Sequence, residues 1–305
     1  MVGFSALSNR AGRPRRLVIQ TSAKVNFALE VLAKRPDGYH DVATVMQTVD
    51  LFDRLTLETA PTLSLETDDP ALPTDERNLI IRAAMLLREA SGVQAGARIR
   101  LRKRIPVAAG LGGGSSDAAA TLWGLNRLWK LRWPRPRLEE LAVRLGMDVP
   151  FFLTGGPSLA TGRGEFLEHL RLGGGYALVL VNPRVPLSTR EVYERVPTGW
   201  RAEPAGARRL VEALRARNPV KVAAALTNHL ETFVAPVFPA IDRMKAALLA
   251  AGALGALMSG SGPTVFGLAR SWDHARQIRQ RICRADWSCW AVRTHGGPAI
   301  RLARA

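Results

Sequence analysis

The sequence predicts an α+β fold in two domains, and three observations carry that prediction. At 305 residues the chain exceeds the usual size of one hydrophobic core. Apolar segments of period two and of period 3.6 alternate along it. The run Gly173-Gly174-Gly175 then interrupts one such alternation before another starts at Tyr176. The expected division is residues 1–172, with a basic leader at 1–16, and residues 173–305.

In chain order, Leu17 to Val31 and Thr44 to Leu57 are rich in β-branched and apolar residues and read as strands, joined through the turn Arg35-Pro36-Asp37-Gly38. Asn78 to Glu89 places Leu79, Ala83, Leu86 and Leu87 on one helical stripe, and Ala97 to Leu101 alternates like a short strand. A strand ending at Arg104 leads into a glycine-rich turn from Pro106, and Ser115 or Ser116 can cap the helix that follows, which buries Ala119, Leu122, Leu125 and Leu128. The helix Leu138 to Leu145 stops at Gly146 and delivers Asp148 just before Pro150. Beyond the glycine break, Tyr176 to Val181 is a strand. Helical periods cover Ala207 to Leu214, Val220 to Leu226 and Ile241 to Ala250, and strand-like runs cover Ala253 to Met258, Thr264 to Leu268 and Ser288 to Val292.

Composition narrows the class. Hydrophobic residues make up 47% and charged residues 23%, the balance of a folded protein. The longest mainly apolar stretch, Ala246 to Met258, is too short to span a bilayer, and the arginines of the leader precede no apolar run of signal-peptide length. Cys283 and Cys289 stand without a second pair, which suits neither a zinc site nor a disulfide framework, so reduced thiols in a cytoplasmic protein are expected. The net charge of +17 points to an anionic partner, nucleotide or nucleic acid. The basic residues are spread over Arg98 to Arg104, Arg127 to Arg137 and Arg276 to Arg284, with no nucleic-acid-binding signature, so no nucleic acid and no membrane is expected as partner.

The segment Pro106-Val107-Ala108-Ala109-Gly110-Leu111-Gly112-Gly113-Gly114-Ser115-Ser116 puts four glycines between a strand and a helix start. Without Cβ atoms the backbone can approach an anion, and the free N–H groups and dipole of the helix end favour a phosphate there. A Walker A loop is excluded, because no lysine occurs between Lys103 and Lys130. A dinucleotide fingerprint would need glycine at Ser115 or at Asp117. Neither the His-Arg-Asp nor the Asp-Phe-Gly tripeptide of protein kinases occurs.

This loop resembles the second motif of the galactokinase, homoserine kinase, mevalonate kinase and phosphomevalonate kinase (GHMP kinase) superfamily. Ser22-Ala23-Lys24-Val25-Asn26 is similar to its first motif, and Ala256 to Val265, containing Ser259-Gly260-Ser261-Gly262, to its third. Arg35-Pro36-Asp37-Gly38-Tyr39-His40 and Gly146-Met147-Asp148-Val149-Pro150-Phe151 resemble the branch that phosphorylates the 2-hydroxyl of a cytidine-diphosphate-linked methylerythritol with ATP, in the non-mevalonate route to isoprenoid precursors. The resemblance runs from about Ser22 to the C-terminus. It implies a ribosomal-protein-S5-like N-terminal domain and a ferredoxin-like C-terminal domain.

By that resemblance Asp148 is the catalytic carboxylate, although its local sequence alone suits a helix-end Asp bonded to backbone. Lys24, a lone lysine in an apolar strand, needs an anionic partner, which Asp148 and the transferred phosphoryl group supply. Tyr39 and Tyr193 are expected to sandwich a cytosine ring, with His40 reading its edge and Asn26 and Thr189 contacting the polyol or diphosphate. Asn78 and Lys103 match positions near the nucleoside of ATP, while Asn78 also suits a helix N-cap. Mg²⁺ is expected with ATP; no carboxylate cluster announces its ligands, and Ser116 is either a hydroxyl ligand or a cap. Ser259 to Gly262 reads both as a tight hairpin and as a place where backbone meets phosphate or substrate.

Overall fold

The structure, a computed structural model, describes residues 16–172 and 175–303. Residues 1–15 of the basic leader, and Gly173 and Gly174 of the glycine break, lie outside the described residues.

Two long antiparallel strands, Arg16–Lys34 and His40–Ala60, form the spine of the molecule. They extend beyond the segments read from sequence because the turn between them is tight. Gly38 takes a φ of +85°, and Asp37 Oδ1 accepts the Tyr39 N–H at 3.1 Å. The first sheet runs Ile300–Leu302, Arg16–Lys34, His40–Ala60, Gly96–Arg102, Leu63–Thr67; Ser158–Thr161 also pairs with the second strand and Phe166–His169 with it in turn. The second sheet is antiparallel throughout, in the order Ser288–Arg293, Ala177–Asn182, Val265–Ala269, Gly255–Met258.

Burial along Arg16–Lys34 is nearly continuous rather than alternating, because the strand serves two cores. Ile19 packs in the core formed with the helices Leu79–Ser91, Gly113–Leu128, Arg135–Leu145 and Val149–Thr154, whereas Ala23, Val25 and Phe27 pack with Leu178, Leu180 and Phe266 of the second sheet. The pairing register slips between Ser22 and Ala23, where the change of partner occurs.

The sheets do not divide cleanly at residue 173. Ile300–Leu302 returns to pair with Arg16–Lys34, and Thr227–Asn228 runs parallel to the same strand at Ala28 and Leu29. The expected second half therefore contributes two strands to the first sheet.

Two sequence expectations need correction. The helix after the glycine loop begins at Gly113, behind Gly112 at a φ of +69°, so Ser115 and Ser116 lie inside its first turn and neither caps it. The strand before the loop ends at Arg102 rather than Arg104. The segment Trp272–Ile282, whose arginines read from sequence as a basic cluster, is a helix. Ala275, Ile278 and Ile282 are its buried stripe, and Ser271 caps it by accepting the His274 N–H. Among the described residues no helix is long and apolar enough to cross a membrane.

Candidate active site

The glycine loop owes its shape to contacts that no side chain would tolerate. A Cβ on Gly110 would lie 2.0 Å from the Ser259 carbonyl oxygen, and one on Gly112 would lie 2.8 Å from the Phe152 ring. Both glycines also sit at positive φ, +73° and +69°. As the first three residues of the helix, Gly113, Gly114 and Ser115 have no carbonyl one turn back to receive their N–H groups. Those groups open onto a cavity of about 1030 Å³ lined by Pro106, Val107, Ala108, Ala109, Gly110, Gly112, Gly113, Gly114 and Ser115.

Leu111 and Ser116 depart from the expected set. Leu111 is buried, and its carbonyl accepts the Lys24 N–H at 3.0 Å. Ser116 is turned into the sheet: its hydroxyl donates to the Ser22 carbonyl at 2.6 Å and its N–H to the Gly112 carbonyl at 2.9 Å. It is fully buried, does not cap the helix and does not line the cavity.

Lys24 extends from the first strand into the same cavity. Its Nζ donates to Asn26 Oδ1 at 2.7 Å and lies 3.3 Å from Asp148 Oδ2. Asp148 stands at the entrance of the helix Val149–Thr154, yet its side chain makes no capping bond, so the carboxylate is left for the cavity. Asn26 is itself held: Nδ2 donates to Thr44 Oγ1 at 2.8 Å, and its N–H donates to Ser259 Oγ at 3.3 Å. Ser259 Oγ donates in turn to the Gly110 carbonyl at 2.9 Å. One hydroxyl thus ties together the three segments that resembled motifs.

Lys103 lies beneath the helix entrance, between Asp53 and Asp117, 2.6 Å from each. A Cβ on Gly113 would approach its Nζ to 2.9 Å. Asp53 Oδ1 also accepts the N–H groups of Arg104 and Ile105. Asp117 has no such support: its Oδ1 is buried without a hydrogen-bond partner, and burial, with Asp53 adding, pushes its carboxyl up to about 7 against the pull of Lys103. Asn78 caps its helix, Oδ1 accepting the Ile80 N–H at 3.0 Å, while Nδ2 donates to the Pro73 carbonyl and the residue lines the cavity.

Tyr39, His40, Thr189 and Tyr193 also line the cavity. The ring lying against Tyr193 is that of His40, with centroids 5.5 Å apart and planes inclined by 32°. Tyr39 is 51% exposed, with the Arg163 guanidinium 5.2 Å from its ring centre. Among the described residues Tyr193 thus has His40, and not Tyr39, as its neighbouring ring. Burial, with Lys34 adding, holds the His40 imidazole below its usual range, which keeps it neutral and able to donate and accept at once. Burial raises the Tyr193 hydroxyl, with the Asp148 charge contributing. Thr189 Oγ1 and Ser261 Oγ are hydrogen-bonded at 2.8 Å.

Residues 78–156 match the GHMP kinases N terminal domain and residues 210–288 the GHMP kinases C terminal domain. The chain is 49% identical over 274 residues to the 4-diphosphocytidyl-2-C-methyl-D-erythritol kinase of Pelotomaculum thermopropionicum, covering 89% of this chain and 96% of that one. It belongs to the 4-diphosphocytidyl-2-C-methyl-D-erythritol kinase family. The family's enzyme from Symbiobacterium thermophilum is 47% identical, with 90% and 99% of the two chains covered. A crystal structure of a 4-(cytidine 5'-diphospho)-2C-methyl-D-erythritol kinase superposes with a TM-score of 0.77 at 37% identity, over 93% of this chain and all of the other. A homoserine kinase from Cytophaga hutchinsonii has the same TM-score at 21% identity and shares the fold.

Sequence reasoning missed Asp53 and Asp117. A signal existed for Asp117, since an acid followed by Ala118, Ala119 and Ala120 on a helix that buries that face requires a cation. No comparable pattern marks Asp53, in the middle of a strand.

Proposed function

We propose that this chain transfers the γ-phosphoryl group of ATP to the 2-hydroxyl of 4-diphosphocytidyl-2-C-methyl-D-erythritol, with Lys24 and Asp148 at the reacting centre. Kinase activity toward that cytidyl polyol, in the route to isoprenoid precursors, is the activity of the family to which the chain belongs. The observation that carries the assignment of residues is the Lys24 and Asp148 pair, 3.3 Å apart, facing the same cavity as the open N–H groups of Gly113 to Ser115.

In this reading the main-chain N–H groups at the helix entrance hold the phosphate tail of ATP. Asp148, 39% exposed, orients the acceptor hydroxyl and takes its proton, and Lys24 Nζ balances the charge that gathers on the transferred group. The His40 and Tyr193 rings, with Tyr39, hold the cytosine end, while Asn26 and Thr189 contact the polyol or diphosphate. Asn78 and Lys103 border the nucleoside and phosphates of ATP.

Among the described residues no group of three or more histidine, cysteine or acidic side chains could hold a metal. The residues present would leave a Mg²⁺ ion carried mainly by phosphate oxygens and water, with Asp117, whose Oδ1 has no hydrogen-bond partner and which lines the cavity beside the glycine loop, the carboxylate that would turn to it. When bound, such an ion would supply positive charge against the phosphates of ATP. The unpaired thiols Cys283 and Cys289 support a cytoplasmic setting.

The test is a substrate panel. Consumption of ATP is expected with the cytidyl polyol and not with mevalonate, homoserine or galactose; preference for any of the latter three would overturn the substrate assignment.

A further inference from the structure

The loop Ser259-Gly260-Ser261-Gly262 comes within reach of Lys24 and of the glycine loop. A Cβ on Gly260, whose φ is +58°, would lie 3.3 Å from Lys24 Nζ, 3.2 Å from Asn26 Oδ1 and 3.1 Å from the Gly110 carbonyl. A segment so close to the reacting centre needs its main-chain groups aimed, and one buried side chain does this. Asn228, 6% exposed, sits at the end of the short strand Thr227–Asn228 beside the first strand of the molecule. Its Nδ2 donates to the Met258 carbonyl at 2.8 Å and to the Gly260 carbonyl at 2.9 Å. Its Oδ1 accepts the Leu230 N–H at 3.0 Å and so caps the helix His229–Val234. From that helix Glu231 accepts the Met258 N–H at 2.7 Å.

The peptide joining Gly260 to Ser261 is trans, since the cis bond of this loop is the one between Gly262 and Pro263. In a planar trans peptide the C=O and the following N–H point in opposite directions. Asn228 behind the Gly260 carbonyl therefore turns the Ser261 N–H away from itself, toward the cavity that Gly260 and Ser261 line. The hydrogen bond between Thr189 Oγ1 and Ser261 Oγ holds the same residue from its side chain.

We propose that Asn228 is a positioning residue for phosphoryl transfer, acting through the Gly260 carbonyl to present the Ser261 N–H to the transferred group. The inference rests on the proposed function. A fixed main-chain donor aimed where charge gathers stabilises the transition state more than the bound substrates, so its loss falls on kcat.

Two substitutions separate this role from the capping role. Asn228→Asp keeps the shape and the cap on Leu230, because Asp caps as well as Asn, but whether charged or protonated it cannot donate to both carbonyls at once. Asn228→Ser keeps a capping oxygen without adding buried charge, and decides the matter if the Asp variant does not fold. In the full chain, kcat is expected to fall by about 10²-fold, the cost of misplacing a reacting contact by about 1 Å, in variants that still unfold cooperatively but at a lowered thermal midpoint, because a buried carbonyl loses its donor. The KM for ATP and the calorimetric affinity for ADP are expected to stay within about threefold, since uniform binding is untouched. A folded variant with parental kcat would overturn the proposal. So would a loss of kcat and ADP affinity in step, or failure of both variants to fold, because each makes Asn228 a structural residue only. Variant and parent are compared on the same acceptor, so a parent that prefers another alcohol sinks the substrate assignment while the Asn228 ratio is still read.

Discussion

Lys24 Nζ lies 3.3 Å from Asp148 Oδ2, and the two side chains differ sharply in exposure, 4% against 39%. The cation is fixed in the wall, held by Asn26, while the carboxylate faces the space where an acceptor hydroxyl enters. Asp148→Ala is expected to lower kcat by about 10²–10⁴-fold, the range for a positioned acid or base. ADP affinity by calorimetry is expected to be nearly unchanged. Retained turnover would remove Asp148 from the reaction.

Two glycines of the loop are expected to answer differently to the same change. Gly110→Ala drives a Cβ into the Ser259 carbonyl at 2.0 Å from a backbone at positive φ, and should cost more than about 2 kcal/mol in urea unfolding. Gly114→Ala meets nothing nearer than Leu79 Cδ1 at 3.6 Å and should leave stability unchanged or slightly raised.

Removing the lysine beneath the helix entrance leaves two buried carboxylates facing each other. Lys103→Met is expected to destabilise the fold by about 3–5 kcal/mol, the penalty for breaking a buried charge network from one side. Asp53→Asn in the same background should recover part of the loss, and a midpoint equal to that of the parent in the single variant would contradict the network.

The raised carboxyl of Asp117 makes a signed prediction for pH. Its folded value of about 7 stands above the ordinary 3.8, so between those limits the folded chain holds a proton that the unfolded chain has released. That contribution favours folding below about pH 4 and is lost as pH rises to about 7. Asp117→Asn removes this slope, and urea titrations of parent and variant at pH 5, 6, 7 and 8 should converge at the acid end and separate toward the basic end.

Tyr193→Ala is expected to raise the KM for the cytidyl substrate by about tenfold, matching roughly 1–1.5 kcal/mol for an aromatic contact, without changing the KM for ATP. Equal effects on both substrates would count against a cytosine role for this ring.

How far these features were legible depended on whether a signal is local. Gly110 and Gly112 announce themselves because only glycine occupies their backbone geometry, and Asp148 stands beside Pro150 in a recognisable segment. Ser116 misled, since a serine after glycines looks like a cap until its hydroxyl is seen bonded to Ser22, 94 residues away in sequence. Asp53, Asp117 and Asn228 act through partners distant along the chain, and no period in the sequence encodes those distances. The helix Trp272–Ile282 was hidden differently: its arginines overshadowed a stripe of only three buried residues.

The strand Ile300–Leu302 lies at the edge of the first sheet, hydrogen-bonded to a strand that begins at Arg16. During synthesis on a ribosome the first sheet therefore keeps an open border along Arg16–Lys34 until Ile300–Leu302 has emerged. A nascent chain halted before Ile300 carries its glycine loop, Lys24 and Asp148 on a sheet with an unpaired edge, a template for association with other chains.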